Sequence, residues 1–159
     1  MINSVDNFER QYKSISKNKK AYHNYMILQK IEAGIVLQGT EVKSLRAGKC
    51  SMTDSYAHFP NKYNDEFFLM SLHITPYEHG NRENHETKRM RKLLVNRKEA
   101  AKLRTAIQEK GHTIIPLALF FSGAFVKVEL GVARAKKKYD KRESNKKRDV
   151  DRELRRKYR

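Results

Sequence analysis

Short apolar runs separated by turn residues fill residues 22–134 of the chain. Runs of this kind between turn signals are typical of β-strands in a small domain. The clearest pair is 113–121 and 125–132, which are joined through Ser122-Gly123 and predict a hairpin. In the second run apolar and charged side chains alternate, so one face of that strand is predicted to be buried.

Three more apolar segments complete the predicted strands. Residues 25–37 contain two apolar runs interrupted by Gly34, which predicts one long strand with a bend. Residues 55–59 and 67–74 flank a polar segment, 60–65, and predict a second hairpin with a long turn. The sequence thus predicts five or six strands.

Two short helices are predicted from their end signals. Thr40 is a suitable N-cap for a helix over residues 40–46, and Gly48 is a suitable terminator. Asn96 with Glu99 three residues later is a capping-box pattern, and the helix that follows would end at Gly111. Both helices are small, so the domain remains mostly β.

These elements predict a compact fold of the mostly β class. An OB-fold-like closed barrel with two or three short helices suits five or six strands in about 110 residues, and the OB-fold is a common nucleic-acid-binding barrel. Three regions are expected: a flexible N-terminal arm over residues 1–21, an RNA-binding β-barrel over residues 22–133 and a basic tail over residues 134–159.

The composition changes sharply where the predicted tail begins. Residues 134–159 contain 14 Lys and Arg against 5 Asp and Glu, a net +9 of the chain's +17. Only Val150 and Leu154 are aliphatic residues larger than alanine there, so burial cannot offset the entropy of ordering and the free tail is predicted to be disordered. Helix-forming residues dominate, and Gly and Pro are absent, so the tail is predicted to become helical against an anionic partner.

The charge of the whole chain indicates the class of partner. Lys and Arg number 35 against 18 Asp and Glu, and a polyanion would offset the repulsion within so cationic a chain. A membrane surface is the alternative, but the longest apolar run, 114–121, is too short to span a bilayer and contains Pro116. The N-terminus has no apolar signal-peptide core, and a single cysteine, Cys50, excludes an internal disulfide, so a cytoplasmic protein without a membrane partner is expected.

The sequence contains no motif for catalysis. Phosphate-binding glycine loops, the HExxH zinc motif and the GxSxG nucleophile motif are all absent. His73, His79 and His85 have no standard ligand spacing, so we interpret them as ordinary loop histidines. Cys50 has no neighbouring histidine, so we interpret it as a plain small residue. The chain is predicted not to be an enzyme and to use no metal or other cofactor.

Three clusters combine basic residues with small or planar ones, as RNA recognition requires. Glu32 stands outside them and has two interpretations, a salt-bridge partner or an acceptor for a base edge; the pattern alone favours the salt bridge. The residues predicted to contact RNA from the clusters are Asn18, Lys19, Lys20 and Tyr22, then Lys43, Arg46 and Lys49, then Arg89, Arg91 and Lys92.

Within the same segments the sequence resembles the bacterial SsrA-binding proteins, the SmpB family. The resemblance covers about residues 17–159 and is carried by NKKAYHNY at 18–25 and EAGIVLQGTEVKSLRAGK at 32–49. Four shorter motifs follow in the family's order: DSY at 54–56, HITPYE at 73–78, RKLL at 91–94 and YDKR at 139–142.

The resemblance implies an OB-fold barrel that binds the tRNA-like domain of tmRNA and delivers it to stalled ribosomes for trans-translation. It also implies that the tail becomes helical in the empty mRNA channel, near the decoding region of the small subunit. For RNA contact it points to Asn18, Lys19, Glu32, Arg46, Leu93 and Lys127. For ribosome contact by the tail we expect Lys136, Lys137, Lys138, Tyr139, Asp140, Lys141, Arg142, Lys146, Lys147, Arg148, Arg152 and Arg155.

A second function remains open at this point. A structural ribosomal protein or a general single-stranded RNA-binding protein could share the same barrel and charge. A tight complex with one structured RNA would favour the adaptor, and weak binding to many RNAs would favour the alternative. In either case the protein is expected to act as a monomer.

Overall fold

The computed structural model describes residues 12–80 and 82–158. Along these residues the chain forms nine strands and four helices. In chain order they are β1 (Tyr12–Lys17), α1 (Lys19–Asn24), β2 (Tyr25–Ile35), α2 (Gly39–Arg46), β3 (Cys50–Ser51), β4 (Tyr56–His58), β5 (Phe67–Met70), β6 (His73–Ile74), β7 (Arg91–Leu94), α3 (Arg97–Gln108), β8 (His112–Ser122), β9 (Phe125–Ala135) and α4 (Lys138–Lys157).

Seven strands form one antiparallel sheet in the order β1-β8-β4-β5-β7-β2-β9, and β3 pairs with β6 separately. Because β8 also pairs with β9, the pairings that start at β8 pass through β4, β5, β7, β2 and β9 and return to β8. The prediction of a mostly β fold is confirmed. The described residues contain four helices rather than two or three, since α1 was not predicted and the tail is helical. We call residues 12–135 the β domain.

The hairpin of β8 and β9 is the centre of this domain. Its strands pair from His112 with Arg134 to Ser122 with Phe125, as the sequence predicts. Gly123 turns the chain with φ of 63°, a left-handed conformation that glycine adopts without steric cost. The main core cluster lies on the inner side of the sheet, and its most buried members are Leu45, Phe67, Leu69, Leu72, Ile74, Leu103, Ile114, Leu119, Val128 and Leu130.

The N-terminal part of the described chain is a strand and a helix rather than a flexible arm. β1 pairs antiparallel with β8, from Tyr12 with Ser122 to Lys17 with Ala118. α1 then packs Ala21 against Ile115 on β8 and Ala133 on β9. The predicted arm is therefore wrong for residues 12–21, because β8 offers them a free edge and an apolar surface. Residues 1–11 lie outside the described part of the chain.

The ends of α2 and α3 show how local signals place the helices. The prediction for α3 is confirmed: the backbone N–H of Asn96 donates to the Glu99 carboxylate at 3.1 Å, as in a capping box. In α2 the cap is Gln38, whose N–H donates to Glu41 at 2.7 Å, so Thr40 as cap is wrong. Gly48 has φ of 70°, which fits its predicted role as terminator. Within the described residues, no helix is both long and apolar enough to cross a membrane.

The long turn between β4 and β5 is held by one side chain of α3. The Arg104 guanidinium donates to the carbonyl oxygens of Asn61 and Lys62, at 3.4 and 3.2 Å, and to that of Asn64. It also lies 4.6 Å from the centroid of the Phe59 ring. The turn is thus ordered, and Tyr63 at its tip is 96% exposed.

Candidate nucleic-acid interface

One row of side chains runs across the outer surface of the sheet. Cross-strand partners on neighbouring strands point to the same face. Phe120 on β8 is the partner of Lys127 on β9, Lys127 is the partner of Gly34 on β2, and Gly34 is the partner of Leu94 on β7. The register therefore brings four strands together at a surface that starts with Phe120 and ends with the exposed Leu94. We call these four residues the outer row.

Gly34 gives the outer row its shape. It does not have a positive φ, and the register irregularity of β2 lies between Ile27 and Gln29, so Gly34 provides neither a left-handed backbone nor a bulge. A Cβ at position 34 would lie 3.3 Å from the Cβ of Leu94, closer than side chains normally approach. The absence of a side chain lets Leu94 lie over the backbone of β2.

Glu32 lies beside the outer row, two residues before Gly34 on the same strand. Lys127 Nζ donates to Glu32 Oε1 at 2.6 Å, so the salt bridge favoured by the sequence pattern is present. Both side chains remain partly exposed, at 28% for Lys127 and 52% for Glu32. An exposed pair of this kind contributes little to stability. The carboxylate therefore remains accessible to a base edge as well.

The cluster at residues 18–22 contributes both structural and free groups. Asn18 accepts the backbone N–H of Ala21 at 3.2 Å and donates to the Pro116 carbonyl at 3.0 Å, so its side chain fastens α1 to β8. Lys19 and Lys20 are exposed. Tyr22 is also exposed, and its ring centroid lies 5.3 Å from Lys30 Nζ. The two lysines and Tyr22 are thus open to a ligand.

The cluster on α2 lies next to the loop that follows β6. Lys43 Nζ lies 5.2 Å from the centroid of the Tyr77 ring, and Lys49 forms an ion pair with Glu78. The hydrogen bond and charge of Lys49 hold the pKa of the Glu78 carboxyl below its usual value. Arg46 is exposed and forms no ion pair with any described residue. All three cations thus remain at the surface.

The basic tail leaves the β domain at the end of β9. Strand β9 reaches Ala135, so the tail begins two residues later than predicted. Lys136 fastens its first residues: its N–H donates to Asn24 O at 2.9 Å, and its Nζ lies 3.0 Å from Tyr22 O and 3.2 Å from Ser144 Oγ. Helix α4 buries none of its residues. The predicted tail cations from Lys138 onward therefore lie on an exposed or half-exposed helix, and Lys136 and Lys137 lie just before it.

Comparison with known proteins identifies this arrangement. Residues 15–159 match the family model described as SmpB protein. The chain belongs to the SmpB family. The SsrA-binding protein of Geotalea uraniireducens is 56% identical over 142 residues, which cover 89% of this chain and 92% of that protein. The SsrA-binding protein of Geobacillus kaustophilus is 51% identical over 147 residues, which cover 92% and 93%.

A solved structure is similar as well. It concerns tmRNA-SmpB in the bacterial ribosome, and its matching chain has a TM-score of 0.66 and 46% identity. The match covers 85% of this chain and 93% of that chain. The shared fold therefore includes most of the β domain, and the relatives are matched over nearly their whole length.

The SmpB resemblance pointed to Leu93, and the structure corrects this residue. In β7 alternate side chains are buried, so Leu93 is 3% exposed and lies in the core, whereas Leu94 is 53% exposed and belongs to the outer row. A buried leucine cannot contact RNA without unfolding the strand. The exposed apolar residue on this surface is Leu94, which the sequence analysis missed by one position.

Arg91 is the second correction. Its side chain is completely buried, and its Nε donates to Glu41 Oε1 at 2.8 Å. Its Nη1 donates to the Leu72 carbonyl at 2.6 Å. Arg89 meets the same carboxylate from the surface side, with Nη2 2.7 Å from Oε2. Arg91 is therefore a core residue rather than an RNA contact, and Arg89 is largely engaged by Glu41.

The buried Glu41 group has a perturbed pKa. Burial alone would raise the pKa of the Glu41 carboxyl. The hydrogen bonds from Arg89 and from the Gln38 backbone, together with the charges of Arg91 and Arg89, outweigh burial and hold the pKa below its usual value. Burial lowers the pKa of Arg91, and the charge of Glu41 opposes that effect. The pair is thus ionised at neutral pH and ties α2 to β7.

Two of the loop histidines make local contacts, and Cys50 is partly buried. His85 is buried: its Nδ1 lies 2.9 Å from Thr40 Oγ1, and its Nε2 donates to the Ile74 carbonyl at 3.0 Å. His79 instead packs edge-on against Tyr77. No group of three or more potential metal ligands occurs in the described ranges 12–80 and 82–158. Burial raises the pKa of the Cys50 thiol, which makes it a poor nucleophile.

Proposed function

We propose that this chain is an RNA-binding adaptor that binds the tRNA-like domain of tmRNA and delivers it to stalled ribosomes for trans-translation. The observation that carries the proposal is the extent of the family match, which includes the basic tail as well as the β domain. An adaptor would need both parts, because it would bind tmRNA with one region while the other region enters the ribosome.

The outer surface of the β domain supports binding of a structured RNA. It combines Lys127 and Glu32 with the exposed Leu94, which lies close to the backbone of Gly34. Lys92 lies two residues before Leu94 on β7 and is about half exposed. Its Nζ is 3.5 Å from Glu66 Oε1. Cations position a phosphate backbone, whereas a carboxylate and an apolar side chain can contact bases that are not paired. Such a mixture suits an RNA with exposed loops.

We propose that the β domain is an OB-fold-like closed barrel, which the ring of pairings through β8 supports. We further propose that the tail is disordered when free and helical when bound. Most helices gain their stability from packing, and α4 buries no residue. Its partner would be the small-subunit decoding region and the empty mRNA channel, where RNA phosphates would surround the cations of α4.

The proposed role includes no catalysis, no metal and no other cofactor. The protein would act as a monomer in the cytoplasm, where ribosomes translate. About six phosphate contacts made by its surface cations would displace counterions from the RNA, so affinity would fall steeply with salt. A steep salt dependence of affinity would distinguish an RNA-binding adaptor from a protein that recognises its partner through apolar contacts.

Titration of a tmRNA tRNA-like fragment with the purified chain tests the proposal. We expect a one-to-one complex whose affinity falls about a thousandfold between 50 and 200 mM salt, as about six phosphate contacts require. An unstructured RNA of equal length and composition is the control and should bind much more weakly. Equal binding of both RNAs would favour a general single-stranded RNA-binding protein. A flat salt dependence would contradict a phosphate-dominated interface.

A further inference from the structure

A cleft of about 310 Å³ lies next to the outer row. Its walls include Tyr12, Phe120, Glu32, Glu129 and Lys30. Strands β1, β8, β9 and β2 all contribute to it, so the cleft exists only because the N-terminal strand pairs with β8. Tyr12 lies just before the segment that matches the SmpB family, so the family match assigns it no role.

One wall of the cleft is aromatic. The Tyr12 ring packs on the Phe120 ring with centroids 4.7 Å apart and an angle of 31° between the planes. Phe120 is covered by this contact, whereas Tyr12 is 62% exposed. The arrangement leaves the outer side of the tyrosine ring open, supported from behind by a second ring. An exposed aromatic ring of this kind is a platform on which an unpaired base can stack.

The opposite wall carries two carboxylates. Glu32 and Glu129 are direct cross-strand partners. Like charges placed opposite each other destabilise a sheet, and here two lysines offset the repulsion. Lys127 lies 2.6 Å from Glu32, and Lys30 lies 3.5 Å from Glu129. Only Oε1 of each glutamate has a partner in the described residues, so each carboxylate keeps an oxygen free to accept a hydrogen bond.

These two walls select the part of an RNA that can enter. Carboxylates repel phosphate groups, so in this strongly cationic chain the cleft is a place that the RNA backbone avoids. Ionised carboxylates accept hydrogen bonds only, so the ligand must present N–H donors. Guanine presents a ring N–H and an amino group side by side on its Watson–Crick edge, which matches one carboxylate.

We infer that the cleft binds one unpaired guanine of the RNA, stacked on Tyr12 and read through its N–H groups by Glu32 and Glu129. The inference rests on the proposed function and specifies one contact of the same surface. Tyr12 supplies stacking and the glutamates supply the preference for guanine.

The first arm of the test measures affinity for the tRNA-like fragment. Tyr12→Ala should weaken binding roughly 5- to 150-fold, the range for loss of one base–aromatic stack, whereas Tyr12→Phe should stay within about twofold of the unaltered chain. Tyr63→Ala is the matched control, because Tyr63 is an exposed tyrosine on the distant turn. If the unaltered chain fails to bind, the proposed function fails. If it binds, and Tyr12→Ala lowers the affinity no more than Tyr63→Ala does, the guanine site is wrong while the proposed function stands.

The second arm identifies the base. The chain contains no tryptophan, so Tyr12→Trp places a single fluorescent reporter in the cleft. Oligouridines with one central guanosine should quench this fluorescence most strongly. One central inosine, which lacks the amino group, should quench at severalfold higher concentration, and oligouridine alone at higher concentration still. Equal quenching by all three oligonucleotides would overturn the reading of the base by Glu32 and Glu129.

Discussion

The β domain buries Leu69, Val128 and Leu130 completely, whereas helix α4 buries none of its residues. The two regions also divide the charge, since residues 136–159 hold +8 of the chain's +17. Core packing stabilises the first region by itself, but the second has only local hydrogen bonds and the Lys136 contacts at its base. The comparison implies that changes in the β domain alter folding, and changes in the tail alter function without altering folding.

The largest effect on folding is expected at Glu41. Glu41→Gln would leave the buried Arg91 guanidinium without its counter-charge, and loss of one partner of a buried pair costs about 3–5 kcal/mol. Denaturant unfolding would measure this loss. Glu153→Gln on α4 is the matched control and should change the unfolding free energy by less than about 0.5 kcal/mol. A small loss for Glu41→Gln would contradict a structural role for this pair.

The same residue predicts a dependence on pH. The pKa of Glu41 in the folded chain lies below its usual value, so its ionised form favours folding above the unfolded pKa. This contribution is lost as the pH falls through the folded pKa. Unfolding measured across the acid range should therefore show a smaller loss of stability on acidification for Glu41→Gln than for the unaltered chain. Identical acid profiles would assign the acid sensitivity to other groups.

The next largest effect is expected on RNA binding, at Glu32. Glu32→Gln should weaken binding of the tRNA-like fragment by about 1–3 kcal/mol, as loss of one charged base contact would. The unfolding free energy should change by less than about 0.5 kcal/mol, because the pair with Lys127 is exposed. Asp65→Asn makes the same charge change at an exposed ion pair on the distant turn and should leave the affinity unaltered. Equal losses of stability and affinity would return Glu32 to a structural role.

A smaller effect is expected at Gly34. Gly34→Val would press on Leu94 and should cost about 1 kcal/mol of stability, at the low end for overpacking because Leu94 is exposed and can shift. It should also displace Leu94 from the outer row and weaken RNA binding. Gly39→Ala is the control, because nothing lies within 4 Å of the added atom. If Gly34→Val and Gly39→Ala destabilise the chain equally, the contact of position 34 with Leu94 is not the cause of the loss.

The smallest effect on folding is expected in the tail. Val150→Pro lies in the middle of α4 and would break a helix there at a cost of about 3 kcal/mol. Because α4 buries nothing, the unfolding free energy of the β domain should stay within about 0.5 kcal/mol. Trans-translation in a reconstituted system should nevertheless be lost, while Val150→Ala should retain it. Normal activity of the proline variant would contradict the need for a bound helix.

Local patterns explain which parts of the fold the sequence predicted. Apolar and charged side chains alternate at the start of β9, Gly123 lies at the turn before it, and α3 begins with its own capping box, so each is encoded within a few residues. β1 was missed because its sequence, YKSISK, contains no apolar run. Its strand character depends on the edge of β8, which lies about 100 residues further along the chain.

The same reasoning separates the site residues. Lys127 and Glu32 were predicted, and the structure places them in contact. Arg91 was misassigned because its partner Glu41 lies 50 residues away, so a cluster of cations looked like a surface. Leu93 was taken from the SmpB resemblance, which does not say which side chains of β7 are buried. Only the packed structure supplies these long-range partners.

Deletion of residues 138–159 tests the division between the two regions most directly. The shortened chain should unfold with the same free energy as the full chain, and it should bind the tRNA-like fragment with only modestly lower affinity, because the outer row and the cleft lie before the deletion. Trans-translation on stalled ribosomes should be abolished. Loss of binding to the fragment, or retention of trans-translation by the shortened chain, would contradict the assignment of RNA recognition to the β domain and of ribosome function to the tail.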